Sequence, residues 1–218
     1  MKRTIIFGDI HGCYEEWQAL MGKLKVTSRD RLICVGDLIS KGPSSSKTLD
    51  LAMSLENLTC VMGNQELRFI RSWDKGEIPS KKPYDRATYD DLKRNYQKYM
   101  RFISHWPFYV NSVQFLVVHA GLRPGIPLHR QSQEDLTELR TIPKDKENRP
   151  WYDFYQSKKI AVFGHWPRRS SLLLKNVAGI DTGCVYGGKL SAFVFPEKKV
   201  VSVSAKRIYF EHKTMSFT

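Results

Sequence analysis

The sequence predicts an α/β fold, parallel in its first half and rich in short strands in its second, with a polar site at the carboxyl ends of the strands. Three observations predict it. Apolar runs of strand length alternate with amphipathic stretches up to Gly63; strand signals then recur from Phe115 with few helices between them; and one apolar run after another is followed by Asp, Asn or His.

Taken in order, "RTIIFG" reads as a buried strand and "CYEEWQALMGKLKV" as a helix with Trp17, Leu20, Met21 and Leu24 on one face. "RLICVG" repeats the strand signal, "SSSKTLDLAMSL" gives a capped helix, and "LTCVMG" a third strand. Strand, helix, strand, helix, strand implies parallel pairing through right-handed crossovers. "YDDLKRNYQKYMRFISHW" reads as one amphipathic helix, preceded by the basic loop "KGEIPSKKPYDR", which could cap a site. "FLVVHAG", "KIAVFGH", "VAGIDTG", "KLSAFVFP" and "KVVSVSA" are short strands, expected to pair antiparallel through turns such as "PEKK". Residues 127–159 are charged, with loops and at most short helices. The expected organisation is one domain over 1–218, with cap segments around 74–105 and 127–159.

Composition narrows the function classes. With 218 residues and 41% apolar content the chain can bury a substantial core. The start "MKRTIIFGDIHG" is too short an apolar run for a signal peptide, and no run approaches the roughly 20 residues that span a bilayer. A soluble, cytoplasmic protein is expected. Cys13, Cys34, Cys60 and Cys184 form no CxxC pair, which argues against a disulfide framework or a zinc knuckle. The net charge of +13 suits an anionic substrate, nucleic acid or simply a basic proteome.

The strand ends carry the chemistry. "IIFG" is followed by Asp9 and His11, "LICVG" by Asp37, "CVMG" by Asn64, "FLVV" by His119 and "IAVFG" by His165. In α/β sheets ligands bind beyond the carboxyl ends of strands, so these six side chains can share one crevice. Imidazole with carboxylate suits manganese, iron, zinc, cobalt or nickel better than calcium. An Asp can bridge two ions about 3.5–4 Å apart, a pair that activates water and neutralises phosphate. Gly8, Gly36, Gly63 and Gly164, each ahead of a candidate ligand, permit tight turns there.

Five ordered blocks, "GDIHG", "GDLISKG", "GNQE", "HAG" and "FGH", resemble the calcineurin-like metallophosphoesterases of the phosphoprotein-phosphatase branch. The tail "IDTGCVYGGKLSAFVFPE" is similar to that of small bacterial members. The resemblance implies a four-layer α/β sandwich of two mixed sheets flanked by helices. It implies two divalent metals, with Asp9, His11 and Asp37 on the first and Asp37, Asn64, His119 and His165 on the second. It also implies in-line attack on phosphorus by bridging water, without a covalent intermediate.

The chain departs from that pattern at the leaving-group side. The family's proton-donating His and its partner Asp are replaced by Gln65 and Ser40, and its substrate Arg by Lys41, which keeps the charge but loses the fork. Gln65 has no proton to give at neutral pH, so the roughly 10²–10⁴-fold of general-acid help is reduced. A serine alkoxide, whose conjugate acid has a pKa near that of water, roughly 15.7, needs that proton. A nucleotide phosphate, with a last ionisation near about 6, does not. The catalytic set is therefore expected to be Asp37, Asn64, Gln65 and Lys41, with Lys41, Arg123 and Arg140 binding phosphate.

The second block also resembles the symmetrical dinucleoside tetraphosphate hydrolases, and diadenosine tetraphosphate with manganese is the leading expectation. Trp106, Trp151 or Tyr152 could stack an adenine. The alternatives are a Ser/Thr or dual-specificity protein phosphatase acting on a phosphoprotein, and a catalytically weak basic module binding protein or nucleic acid.

Overall fold

In the computed structural model, which describes residues 3–211, β1 (Thr4–Phe7), β2 (Arg31–Cys34) and β3 (Leu58–Cys60) are linked by α1 (Tyr14–Leu24) and α2 (Ser45–Ser54). β1 pairs parallel with β2, and β2 with β3, as the alternation predicts. There follow α3 (Asn64–Trp73), α4 (Asp85–Leu92), α5 (Tyr96–Ser104), β4 (Tyr109–Asn111), β5 (Phe115–Val118) and α6 (Gln133–Glu138). The chain continues through β6 (Ile160–Phe163), β7 (Leu172–Leu174), β8 (Val177–Gly179), β9 (Lys189–Phe195) and β10 (Lys199–Ser204). One sheet runs β10-β9-β1-β2-β3, the other β4-β5-β6-β8-β7.

The alternation of side chains along each strand makes this a four-layer sandwich. Ile5, Phe7, Leu32 and Cys34 face a core with Trp17, Leu20 and Leu49 from α1 and α2. Their neighbours Ile6, Ile33 and Val35 turn the other way and meet Phe115, Val117, Ile160 and Val162 between the sheets. On the far side of the second sheet, Val118, Ala161 and Phe163 pack on Leu136 of α6 and on Trp151. Because both faces are covered, β1, β5 and β6 are buried at every position, and all but Thr4 of their residues are apolar.

Three expectations need correction. The late strands are not uniformly antiparallel: β9 and β10 form the expected hairpin, but β5, β6 and β8 pair parallel. Long excursions between them make the crossovers that parallel pairing requires. The helix expected over 89–106 is broken by a short 3-10 turn, Lys93–Asn95, between α4 and α5; Asn95 leaves helical geometry at φ −123° and ψ 25°. The break lets Leu92 of α4 and Tyr96, Met100 and Ile103 of α5 all reach the core. Ser44 makes no side-chain cap on α2; Asp91 accepts from the Ser46 N–H at 2.9 Å instead. Among the described residues no helix is long and apolar enough to cross a membrane, and all four cysteines are free and buried.

Candidate metal centre

The loops leaving β1 and β2 are laced together before any side chain is considered. Asp37 carbonyl accepts from the backbone N–H groups of Ile10 (3.1 Å) and His11 (2.8 Å), and Leu38 carbonyl from Gly12 (2.7 Å). The Gly164 N–H reaches across to the His119 carbonyl at 2.9 Å, tying the ends of β6 and β5. The packing explains two glycines: a Cβ at Gly164 would overlap the Asp9 carboxylate, and one at Gly63 would overlap Asp37.

His11, Asp37 and His165 all adopt left-handed backbone conformations, with φ of 49°, 51° and 62°, as do Ser40 and Lys41 at 76° and 67°. Non-glycine residues rarely do so, and such strain collects where side chains must be aimed.

The aim converges. His11 Nε2 lies 3.5 Å from Asp37 Oδ2, and His119 Nε2 lies 3.4 Å from Asp37 Oδ1. The His119 and His165 rings are 5.1 Å apart, and both Asp9 oxygens accept from the His165 N–H at 3.1–3.2 Å. Nδ1 of His11 pairs with the Ile39 carbonyl (3.1 Å) and Nδ1 of His119 with the Val35 carbonyl (2.9 Å). Each carbonyl holds a proton on Nδ1, so Nε2 presents its lone pair to the centre.

Glu66, fully buried, anchors the β2 loop: its carboxylate accepts from the N–H groups of Asp37 (2.9 Å), Leu38 (2.8 Å) and Ile39 (3.0 Å). Gln65 N–H in turn donates to Asp37 Oδ1 at 3.0 Å.

Burial dominates the electrostatics. It drives His11 down to about 3, with Lys41 adding to the effect, and takes His119 and His165 below the ordinary imidazole range. All three are neutral at pH 7, the ligand form. Burial would raise Asp37, but His119, His11 and Lys41 outweigh it and hold the carboxyl down to about 2. Burial, with Asp181 and Asp37 nearby, pushes Asp9 up.

The donor set fits divalent ions. Asp9, Asp37 and His119 offer ligand atoms all within 4.8 Å of one another, all buried. One terminal atom of the Asn64 amide lies 3.0 Å from Asp37 Oδ2 and 3.1 Å from both Asp37 Oδ1 and His119 Nε2. As oxygen it would face only acceptors there, a contact that a shared cation resolves; as nitrogen it donates to them.

A cavity of about 60 Å³ is lined by Asp9, His11, Asp37, Asn64 and His165 together with Lys41, Gln65 and Arg140. Lys41 Nζ sits 3.2 Å from His11 Nε2, and exposed Arg140 donates to the His165 carbonyl at 2.9 Å. His119 stands behind them, completely buried. Arg123 is elsewhere. It pairs with Asp135 (2.5 Å), twelve residues on, and lines a separate cavity with Leu122 and Phe154, so the structure does not bring it together with Lys41 and Arg140.

The three suggested adenine stackers are each engaged in packing outside the small cavity. Trp106 packs on Phe102, Trp151 is buried against Phe163, and Tyr152 stacks on Phe163, because each completes the apolar cover of a sheet or helix. Gln65 Oε1 accepts from Arg68 (2.6 Å), itself paired with Asp85 (2.7 Å), and Ser40 Oγ is buried with no hydrogen-bond partner among the described residues.

Asp181 was missed. It faces the same small cavity, just beyond β8, held up to about 6 by burial, with its Oδ1 accepting from the Gly183 N–H at 3.0 Å. Its signal was present, since "VAGIDTG" places it after an apolar run as the other site residues are. Glu66 closes the "GNQE" block, but nothing in the linear pattern marks it as the clamp on the loop that carries Asp37.

The family model described as calcineurin-like phosphoesterase matches residues 2–192. The bis(5'-nucleosyl)-tetraphosphatase PrpE [asymmetrical] of Oceanobacillus iheyensis is 29% identical over 250 residues, covering 100% of this chain and 98% of the relative. The symmetrical bis(5'-nucleosyl)-tetraphosphatase of Vibrio parahaemolyticus is 23% identical, covering 93% of this chain and 98% of the relative. A crystal structure of a candidate diadenosine tetraphosphatase superposes with a TM-score of 0.79 at 28% identity, covering 94% of each chain.

Proposed function

The chain belongs to the calcineurin-like phosphoesterases, metal-dependent hydrolases of phosphoester bonds, and from that premise we propose that it hydrolyses a phosphoanhydride, with a dinucleoside tetraphosphate such as diadenosine tetraphosphate as substrate. Asp9, His11 and Asp37 would hold one divalent ion, and Asp37, Asn64, His119 and His165 a second, with manganese the leading metal. When bound, the two ions would polarise a water for in-line attack on phosphorus, neutralise the phosphate and keep neighbouring carboxyls ionised.

One observation carries the choice of bond. On the leaving-group side, Gln65 is turned to Arg68 and Ser40 is a buried hydroxyl, so neither stores a proton for the departing oxygen. Asp181 is raised chiefly by burial, and its Gly183 hydrogen bond and the Lys41 charge oppose that rise. A departing nucleotide phosphate needs no proton, whereas a serine alkoxide does. Lys41 and Arg140, at the mouth of the small cavity, supply positive charge toward a polyphosphate. The names of the relatives support the same substrate class and divide on where the polyphosphate is cut.

Purified protein loaded with manganese should turn over diadenosine tetraphosphate far faster than a phosphoserine peptide. ADP as the sole nucleotide product marks the symmetrical cut, AMP with ATP the asymmetrical one. Faster turnover of the peptide overturns the reading. Installing the proton-donating pair with Gln65→His and Ser40→Asp should raise peptide turnover by about 10²-fold or more while changing the anhydride rate little.

A further inference from the structure

The small cavity shares Lys41, Gln65, Arg140, His165 and Tyr186 with a larger one of about 460 Å³, whose outer wall is aromatic. Tyr84, at the end of the basic loop before α4, meets Phe210 edge to face at 5.3 Å and 88°. Phe210 meets Tyr186 at 6.4 Å and 61°. Three segments far apart in the chain thus bring half-buried rings to one wall. The Lys41 ammonium lies 5.8 Å from the Tyr84 ring centre and 5.4 Å from that of Tyr186, so positive charge and ring faces adjoin.

We propose that Tyr84, Tyr186 and Phe210 form a nucleobase subsite, which holds the base of a nucleotide whose phosphates lie at Lys41 and Arg140. The subsite rests on the nucleotide reading above and adds to it the part of the substrate that the metal ligands do not touch. The volume is that of a small-ligand pocket, which is commonly about 300–1,000 Å³. The order of chemistry along the cavity matches that of a nucleotide: ligand set, then cations, then rings. A base presents a flat π-face to such a wall, and stacking tolerates different bases because each has that face. Of the aromatic residues suggested from the sequence, Trp106 and Trp151 are enclosed in apolar packing and Tyr152 stacks on Phe163, whereas Tyr84, Tyr186 and Phe210 line the cavity that opens from the centre.

Calorimetric titration of the manganese-loaded protein with AMP, ribose 5-phosphate and phosphotyrosine tests the subsite. AMP should bind about tenfold to a hundredfold tighter than ribose 5-phosphate, the range that one stacked base supplies. That ratio should fall toward one in Tyr84→Leu and in Phe210→Leu, tested separately so that one misfolded variant does not end the experiment. Tyr186→Phe, which keeps the ring, should retain it. Equal affinity for the two ligands in the parent protein, or a preference that survives loss of the rings, overturns the proposal. Phosphotyrosine binding as tightly as AMP also overturns it, in favour of a general aryl phosphate site. Hydrolysis of diadenosine tetraphosphate is scored independently. An AMP preference without hydrolysis leaves the subsite standing and removes the catalytic reading, while hydrolysis without the preference does the reverse.

Discussion

Asp37 and Arg140 border the same small cavity, yet they are held by opposite means. Asp37 is buried, left-handed in its backbone, tied by its N–H to Glu66 and by a carboxylate oxygen to Gln65. Arg140 is exposed and donates one bond to the His165 carbonyl. A side chain that is to ligate a metal must be placed within about half an ångström, and the supporting bonds around Asp37 suit that proposed role. In the proposed role of Arg140, a cation attracting a polyphosphate would act through its field over several ångströms, for which a long solvated side chain suffices.

The comparison can be broken at its strongest point first. Asp37→Asn removes the carboxylate proposed to be shared and should lower phosphoester turnover by about a thousandfold or more, since several kcal/mol of charge stabilisation would depend on the ions it holds. Turnover within tenfold of the parent would mean that Asp37 is not the bridge. Glu66→Gln touches no expected metal ligand atom yet loosens the loop that carries Asp37. It should weaken manganese binding by about 10–100-fold, measurable by metal titration, and an unchanged affinity would show that the backbone clamp is dispensable.

A pH experiment probes the same rigid region. His11 has a folded pKa of about 3 because of burial and Lys41. An unfolded chain takes up a proton at His11 as pH falls through the ordinary imidazole range near 6.5, and the folded chain does not until much lower pH. His11 therefore costs stability as pH falls from about 6.5 toward 3, and contributes no such loss above 6.5. Relative to the parent, metal-free His11→Asn should gain about 2 kcal/mol or more in urea unfolding between pH 7 and pH 4. A pH-independent difference would mean that the ring is already charged or solvated.

The smallest effect belongs outside both regions. Arg123→Ala breaks a partly exposed ion pair with Asp135, so stability should fall by no more than about 1 kcal/mol and kcat/KM should stay within about twofold. A tenfold loss would restore Arg123 to the substrate path.

Much of this was legible in the linear chain because strand burial and turn chemistry are local. The runs "TIIF" and "FLVV" declare two covered faces, and the polar residue after each run must emerge where the strand stops. Local too was the replacement at Gln65 and Ser40, which bears on the bond broken. By itself the sequence thus determined the α/β alternation and the placing of Asp, Asn and His at the strand ends.

Only the tertiary structure decided what stands beside what. A strand of three or four residues has the same side-chain period whether its neighbour runs parallel or antiparallel, so the pairing of β5, β6 and β8 followed from sheet order rather than local pattern. Long side chains likewise had a choice of partners: Arg123 went to Asp135, Arg68 to Gln65 and Asp85, and Glu66 to three backbone N–H groups. The aromatic wall of Tyr84, Tyr186 and Phe210 exists because three distant segments end at one place, a consequence of packing two sheets and their helices together that no periodicity along the chain encodes.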